Sequence, residues 1–290
     1  MPNEMVENRF EPPLFEKDGK AVLTGLKKGE KLARYAIIAV RDPLGFEKDA
    51  ADVIADSMTN VKEVTRNSMF TVLSGNYKGA EIIVCSTGSG GADTEIAMMD
   101  LIQYGGVDTF LRVGTSGTQR EDLQVGDIVI TSGAVRDDGL TKEYIEPQFP
   151  ALASYEVMLP MIEVAQRSKL RHHVGITRSN DSIYCGQGRP IGGYFPYTQE
   201  NIVEYWVKAG ILNVERETSV ILTLAELFHA RAGSVCVVCN SSVTKEVGVS
   251  QGIDDAIYVS LEGFAILAER DHVKESVGAK HWTPELERHK

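Results

Sequence analysis

Short apolar runs rich in β-branched residues alternate along this chain with segments of helical periodicity. The pattern predicts strands at Tyr35–Val40 and 232–240, for example, and a helix at 154–168. Alternation of this kind is typical of an α/β fold with a mostly parallel or mixed sheet. Composition does not change as it would at a linker, and no repeat period is visible. We therefore expect one domain over residues 21–290, preceded by an N-terminal extension over residues 1–20.

Charge and hydropathy exclude several classes of function. The 290 residues carry a formal net charge of −11, which argues against a nucleic-acid partner held by phosphate contacts. No apolar run approaches the roughly 18 residues that a membrane-spanning helix needs, so we expect no membrane partner. The N-terminus is polar and lacks the basic start and apolar core of a signal peptide. The four cysteines are expected to be free thiols in a reducing compartment, which predicts a cytoplasmic protein.

The stretch FLRVGTSG at residues 110–117 combines a buried charge with a glycine-rich turn. Arg112 lies inside an apolar run, and a charged side chain at the end of a buried strand needs a partner. The turn offers the hydroxyls of Thr115 and Ser116 together with exposed backbone N–H groups, which suit an oxyanion such as phosphate. The alternative is a strand that ends in a tight turn and whose arginine pairs with a carboxylate. The octapeptide by itself leaves both interpretations open.

The stretch TGSGGAD at residues 87–93 joins a predicted strand to a predicted helix. It fails the dinucleotide-binding pattern because Asp93 stands where a glycine is required. Asp93 is instead a candidate N-cap of the helix. The glycines can pack tightly, or they can hold a small ligand against backbone N–H groups.

Two later motifs each allow a binding and a structural interpretation. GQGR at residues 186–189 presents an amide and a guanidinium two residues apart, which can contact one edge of a planar ligand or belong to a surface loop. NVERET at residues 213–218 places two carboxylates at the predicted start of a helix, where they can bind a diol or stabilise the helix N-terminus.

No residues suggest a metal centre or a nucleophilic triad. The adjacent His172 and His173 point to opposite faces of a strand. Cys236 and Cys239, three residues apart on a predicted strand, also point to opposite faces, so zinc or redox chemistry is not expected. The sequence therefore predicts no metal and no cofactor.

Taken together, these motifs resemble the nucleoside phosphorylase-I family, and within it the uridine phosphorylases. The resemblance runs from about residue 35 to about residue 271. The matching segments occur in the family's order and are STGSGGADT at 86–94, FLRVGTSG at 110–117, VGDIVI at 125–130, YCGQGR at 184–189 and NVERETSV at 213–220. The Gln-x-Arg element marks the branch that reads uracil. Purine-selective members carry an aspartate after the late strand, where this chain continues as Asn240-Ser-Ser.

The resemblance implies both a fold and a reaction. The fold is one domain with a central, twisted, mixed and partly barrel-like sheet flanked by helices. The reaction is that of a pentosyltransferase, the reversible phosphorolysis of uridine, or of deoxyuridine or a related pyrimidine nucleoside, to the free base and the sugar 1-phosphate. Phosphate, as co-substrate, attacks the anomeric carbon through an oxocarbenium-like transition state, and catalysis comes from positioning and charge stabilisation. The implied partner is a second copy of the chain, in a homodimer or a hexamer of dimers.

By position in the motifs, the resemblance assigns residues to three ligand groups. The phosphate-binding positions are matched by Arg112, Thr115, Ser116 and, donated by the neighbouring subunit, Arg66. The ribose-binding positions are matched by Thr115, Glu215, Arg216 and Glu217. The base-binding positions are matched by Gly117, Ile183, Gln187 and Arg189. The catalytic roles are assigned to Arg112, Glu217 and Arg189, of which Arg189 favours negative charge on the departing base.

Four positions, in three segments of the chain, depart from the family's pattern. The early phosphate loop has Arg41 and Gly45 where the family has glycine and arginine. Either the side chain of Arg41 reaches the same pocket from a different backbone position, or phosphate affinity is lost. Arg216 replaces a methionine near the sugar, and either pairs with a carboxylate or adds positive charge to the sugar site. The histidine near the ribose 5′-hydroxyl has no match, since Leu23 or Thr24 falls there.

Two alternatives to a phosphorylase stay open from the sequence. One is a nucleosidase that uses water in place of phosphate, which the exchange at Arg41 and Gly45 favours and which Arg112 and Thr115 oppose. The other is a protein that keeps the fold and binds nucleosides without turnover.

Overall fold

The computed structural model describes residues 15–29 and 32–289. The strands, in chain order, are β1 (Glu16–Lys17), β2 (Lys20–Ala21), β3 (Tyr35–Val40), β4 (Thr59–Arg66), β5 (Thr71–Tyr77), β6 (Ala80–Thr87), β7 (Thr109–Thr118), β8 (Ile128–Asp137), β9 (Ala151–Leu152), β10 (His172–Asn180), β11 (Asn213–Glu215) and β12 (Arg231–Ser241). The α-helices are α1 (Ala50–Ala55), α2 (Gly91–Asp100), α3 (Thr141–Tyr144), α4 (Tyr155–Arg167), α5 (Ile202–Lys208), α6 (Thr218–Leu227) and α7 (Ile253–Ser276). A π-helical segment (Leu101–Gly105) follows α2, and short 3₁₀ segments occur at Cys185–Gln187, Tyr197–Gln199 and Pro284–His289. Among these residues, no helix is both long and apolar enough to cross a membrane.

In the part of the chain that the structure describes, ten strands form one mixed sheet in the order β11-β10-β8-β12-β7-β3-β6-β5-β4, with β9 paired to β8. Strands β12, β7, β3 and β6 run parallel to one another, whereas β8 runs antiparallel to β12. An antiparallel bridge between Val214 of β11 and Gly117 of β7 closes β7, β12, β8, β10 and β11 into a ring. The predicted α/β fold, with a mixed and partly barrel-like sheet flanked by helices, is confirmed.

Different helices cover the two faces of the sheet. Helices α1, α4 and α7 pack on one face, and α2 and α6 pack on the other. The alternation of side chains along β7 shows this division, because Leu111 and Val113 enter the first core and Phe110 enters the second. Arg112 has the same parity as Phe110, so β7 carries its charge into the interior on the side of α6.

The helix after the glycine-rich turn does not begin where the sequence suggested. Helix α2 begins at Gly91 and its N-cap is Gly90, with a φ of 96° that favours glycine. Asp93 lies in the first turn of the helix, so the prediction that Asp93 is the N-cap is wrong. A Cβ built on Gly88 would lie 1.8 Å from Oδ2 of Asp93, which shows that this carboxylate folds back over the glycine turn.

The predicted N-terminal extension is described only from residue 15. Residues 1–14 lie outside the described residues. Strands β1 and β2 form a small antiparallel pair, and the Tyr104 hydroxyl donates to Glu16 at 3.3 Å. The boundary at residue 21 stays a prediction.

A buried ion cluster joins the start of two parallel strands to the last long helix. Asp271 of α7 accepts from the Tyr35 hydroxyl at 2.8 Å and from two guanidinium nitrogens of Arg231 at 2.6 and 2.8 Å. Lys274 lies 3.1 Å from the same carboxylate. The cluster therefore fixes α7 against the ends of β3 and β12.

We expect Asp271 to make folding stability depend on pH in the acid range. Burial opposes ionisation, but the hydrogen bond and charge of Arg231 outweigh it and lower the pKa of Asp271 from 3.8 to about 2. A lowered carboxyl pKa stabilises the fold above the ordinary value, and that stability, about 2 kcal/mol, is lost as pH falls from about 4 to about 2. Urea unfolding of wild type and Asp271→Asn across this range measures it. Equal free energies of unfolding at neutral pH would contradict the prediction.

Candidate active site

Arg112 of β7 lies in the interior with two carboxylates as partners. It is 2% exposed, and its Nη2 donates to Glu217 at 2.6 Å while its Nε donates to Glu215 at 3.3 Å. A Cβ on Gly114 would lie 2.2 Å from Nη1 of Arg112, so the guanidinium folds back over a strand position that only glycine leaves open. The buried ion pair that the sequence offered as one alternative is therefore present.

The two carboxylates of the NVERET motif, Glu215 and Glu217, have different hydrogen-bond partners. Both oxygens of Glu215 serve the protein, because one accepts from the backbone N–H groups of Glu217 and Thr218, each at 2.9 Å, and the other accepts from the Ser179 hydroxyl. Glu215 thus stabilises the start of α6, as the helix-capping interpretation predicted. Glu217 also uses both oxygens, but its partners belong to the predicted ligand-binding motifs: one oxygen accepts from Arg112 and the other, at 2.6 Å, from the N–H of Gly90 in the glycine-rich turn.

The environment of Glu217 perturbs its ionisation. Burial raises the pKa of Glu217 above its ordinary value, and the neighbouring Glu215 charge acts in the same direction, while Arg112 opposes both. A carboxylate with a raised pKa in a polar interior site is a candidate functional group, since perturbed titration clusters at such sites.

The hydroxyls of Thr115 and Ser116 have partners of different kinds. Thr115 donates to the carboxylate of Asp42, and Ser116 donates to the carbonyl of Val237 at 3.1 Å. A Cβ on Gly45 would lie 2.7 Å from Cγ2 of Thr115. The early loop therefore passes so close to Thr115 that glycine fits where the resembling family has arginine.

Arg41 lies at the edge of this loop and is fully engaged by its own chain. Its Nε donates to Asp49 at 2.9 Å, and its Nη2 donates to the Thr71 hydroxyl at 3.0 Å. Its Nη1 donates to the carbonyls of Ser68 and Met69 at 3.0 and 2.8 Å. These contacts favour a structural role for Arg41, which joins the early loop to the loop before β5.

Arg66 lies at the end of β4, the strand at one edge of the sheet. Its guanidinium donates to Asp52 and to Glu63, both at 2.7 Å. Its Nη1 also shares the Thr71 hydroxyl with Arg41. Among the described residues of one subunit, no hydrogen bond joins Arg66 to Arg112, Thr115 or Ser116. Its prediction as a group donated across a subunit interface stays a prediction.

A cavity of about 460 Å³ contains the predicted base-binding pair. It is lined by Gln187, Gly188, Arg189, Val203, Asn240, Ser241, Ser242, Lys245, Glu246 and Val247. Arg189 Nη1 donates to Oε1 of Gln187 at 2.8 Å and to the carbonyl of Ile183 at 2.7 Å. The Ile183 side chain is 49% exposed and is not part of the lining.

One cavity residue, Asn240, was not predicted as a ligand from the sequence. Its Oδ1 is buried and has no hydrogen-bond partner among the described residues. A Cβ on Gly117 would lie 2.3 Å from this oxygen, so Asn240 lies against the predicted base-binding glycine. The available signal was a polar residue directly after the apolar run of β12.

Arg216 projects toward the glycine-rich turn. Its Nη1 donates to the Ser89 hydroxyl at 3.0 Å, and its Nη2 would lie 3.4 Å from a Cβ on Gly90. Among the residues that the structure describes, no carboxylate lies within ion-pair distance of Arg216, and its buried Nε has no hydrogen-bond partner. Of the two predicted outcomes for Arg216, the structure favours added positive charge at the site.

The sequence of this chain is similar to those of several known phosphorylases. The model of the Phosphorylase superfamily matches residues 36–265. A uridine phosphorylase from Thermococcus kodakarensis is 39% identical over 87% of this chain and 89% of the relative. The uridine phosphorylase of Escherichia coli is 33% identical over 77% of this chain and 87% of the relative. A guanosine phosphorylase from Halorubrum lacusprofundi is 30% identical over 70% of this chain and 78% of the relative.

The match to the superfamily model, over residues 36–265, includes all the motifs from the glycine-rich turn to the paired carboxylates. This match and the relatives confirm the family that the motif order indicated. The chain belongs to the Phosphorylase superfamily.

Proposed function

We propose that this protein is a pentosyltransferase that catalyses the reversible phosphorolysis of uridine to uracil and ribose 1-phosphate. The observation that carries the proposal is the buried pair of Arg112 and Glu217, joined to the glycine-rich turn through Gly90. The cavity that holds Gln187 and Arg189 offers a place for a planar polar base, and its residue Asn240 lies against Gly117 of β7, the strand that also carries Arg112. The uridine phosphorylases among its relatives support the same assignment.

The chemistry divides among the three groups of residues. Phosphate attacks the anomeric carbon as the bond from that carbon to the uracil nitrogen breaks, and the bonding electron pair leaves with the base. Arg112, with Thr115, holds phosphate, and Glu217 accepts hydrogen bonds from the ribose hydroxyls. Arg189 faces the negative charge that develops on the departing uracil, where a preorganised cation lowers the barrier. In this scheme phosphate is a co-substrate and the reaction uses no cofactor.

The phosphate site differs from the family's pattern in the source of its positive charge. Gly45 supplies no guanidinium, and Arg41 is held by Asp49. Arg216 lies beside the Ser89–Gly90 turn with no carboxylate partner among the described residues. We propose that Arg216 supplies part of the charge that the early loop has lost.

Uracil release should require phosphate. We expect uridine to yield uracil and ribose 1-phosphate only when inorganic phosphate is present, and chromatography of the products with and without phosphate measures this. Equal rates of uracil release in both conditions, with free ribose as the product, would establish a nucleosidase instead. Uridine binding without turnover at any phosphate concentration would establish a binding protein.

We propose that the enzyme is at least a homodimer whose sites are completed across the interface by Arg66. Mixing Arg66→Ala and Arg112→Ala subunits tests this, because a mixed dimer then contains one site with both arginines. Unfolding and reassembly of the two inactive variants together should restore about a quarter of wild-type activity, since half of the random dimers are mixed and each has one intact site. Assembly of each variant alone is the control. No recovery in mixed dimers whose formation is verified would place Arg66 outside the neighbour's site.

A further inference from the structure

The turn that carries Gln187 and Arg189 is held from behind by a buried arginine. Arg178 of β10 is 1% exposed and is the largest of the fully buried side chains. We infer that Arg178, together with Asp137, is a positioning residue that fixes the base-binding turn, residues 184–189, and so sets the affinity for the base. The inference rests on the proposed function, because it concerns the same base site.

The contacts of Arg178 connect the turn to the sheet. Its Nη1 donates to the carbonyl of Gly186, the residue before Gln187, at 2.7 Å. Its Nε donates to Asp137 of β8 at 2.8 Å, and its Nη2 donates to the same carboxylate oxygen. One guanidinium therefore joins β8, β10 and the backbone of the turn.

Neighbouring groups hold Arg178 and the turn in this arrangement. Asn180 donates to Asp137 at 3.0 Å, and a Cβ on Gly186 would lie 2.2 Å from Oδ1 of Asn180. The Arg178 guanidinium lies 5.0 Å from the centre of the Trp206 ring on α5, a distance at which a cation is attracted to an aromatic face. The turn thus packs tightly on the end of β10.

Stability alone does not explain a charge at this position. Removing an arginine from water is costly, and well-packed apolar residues often replace a buried ion pair without loss of stability. What an apolar side chain does not supply is a donor for the Gly186 carbonyl. Loss of that donor would free the backbone directly before Gln187, whose side chain lines the cavity, and small displacements of binding groups have large effects.

The expected effect is confined to the nucleoside. Arg112 and Thr115, proposed to bind phosphate, lie on β7 and have their hydrogen bonds to other residues. Removing Arg178 should therefore raise KM for uridine and leave KM for phosphate near its wild-type value. If Arg178 had a purely structural role, removing it would lower thermal stability and would change KM for uridine and KM for phosphate to the same extent.

Three variants of the complete chain test this inference. The double variant Arg178→Met with Asp137→Leu removes both charges, so neither is left buried without its counter-ion. Asn180 keeps the backbone carbonyl of residue 137 as an acceptor, and the thermal midpoint of the variant verifies that it is folded. We expect its KM for uridine to rise about tenfold, the size typical of losing a charge-assisted hydrogen bond, while KM for phosphate changes less than about twofold. Arg178→Lys, which keeps one donor and the charge, should recover part of the loss. Gln187→Ala, which removes a proposed base contact directly, gives the reference effect and should also weaken discrimination among bases.

Arg270→Met is the matched control. Arg270 is also a buried arginine, but its partners are Glu163, Glu287 and the Trp282 ring, none of which lines the cavity. This variant should lower the thermal midpoint and leave both KM values unchanged. Loss of uridine affinity in Arg270→Met equal to that in the double variant would overturn the inference.

Equilibrium binding of uridine, measured by calorimetry, separates the possible failures. A folded double variant with wild-type KM and Kd for uridine overturns the positioning role of Arg178 and leaves the proposed function intact. A wild-type protein that binds uridine without turnover contradicts the proposed function, and the Kd of the variants then decides the positioning role. A wild-type protein that does not bind uridine overturns both.

Discussion

Arg112→Ala is expected to lower kcat/KM for uridine phosphorolysis by about 10²–10³-fold, which corresponds to about 3–4 kcal/mol of transition-state stabilisation. The reason is that the substitution removes the buried guanidinium that we assign to phosphate. Steady-state kinetics with phosphate and uridine varied separately should show a larger loss of kcat/KM for phosphate than of kcat/KM for uridine. An unchanged kcat/KM would show that Arg112 has only a structural role.

The same substitution carries a stability cost that must be measured separately. It leaves Glu215 and Glu217 buried beside each other without their cation, and removing one partner of a buried ion pair costs about 3–5 kcal/mol. The double variant Arg112→Met with Glu217→Gln removes a charge of each sign. We expect it to regain most of the thermal midpoint without regaining activity. Recovery of activity with stability would mean that Arg112 acts only through the fold.

Glu217→Gln is expected to have the second-largest effect and to change the pH profile. The ionised carboxylate accepts hydrogen bonds from a diol through both oxygens, whereas protonation turns one oxygen into a donor and removes the charge. Because the pKa of Glu217 is raised, we expect activity to be lost on acidification at a pH above the ordinary glutamate pKa of 4.5. As pH falls through the folded-state pKa, kcat/KM should fall with it. Glu217→Gln should lower kcat/KM by about 10²-fold at neutral pH, the loss typical of one preorganised catalytic contact, and should remove this acid limb.

Glu163→Gln is the matched control for this profile, because Glu163 is a partner of Arg270 and lies outside the site. Its profile should superimpose on that of the wild type. An acid limb that persists unchanged in Glu217→Gln would assign that titration to another group, either on the enzyme or on phosphate.

The sequence predicted a strand or helix correctly where the hydrophobic pattern within that one segment was clear. Strand β3 has the sequence YAIIAV, in which three of the six residues are β-branched and all six are buried. Strand β4 was not predicted, because it lies at a sheet edge and most of its residues are polar and exposed. The start of α2 was misplaced because the backbone of Gly90, rather than the side chain of Asp93, shapes the turn before the helix.

The motifs of the candidate site could be predicted from the sequence, but the hydrogen-bond and ion-pair partners of their residues could not. Arg112 needed a partner on local grounds, yet the identity of that partner depends on a contact with Glu217, 105 residues away. Arg41 was considered for phosphate because arginine and glycine are exchanged in the early loop, and its contact with Asp49, the N-cap of α1, is not visible in the sequence. The sequence around Arg178 gave no sign of its function, because the carbonyl to which it donates belongs to a turn that only the fold brings close to it.

The bridge between Val214 and Gly117 that closes the ring of strands also sets when the enzyme becomes competent. A growing chain can form β3, β6 and β7 early, but it has no Glu217 and no ring until more than two thirds of the residues are made. Contacts so distant in sequence form late because closing the long intervening loop costs conformational entropy before the contact contributes any stabilisation. Ligands that bind only the closed ring then stabilise it by mass action. Phosphate and nucleoside should therefore act as folding effectors that favour the final step of assembly.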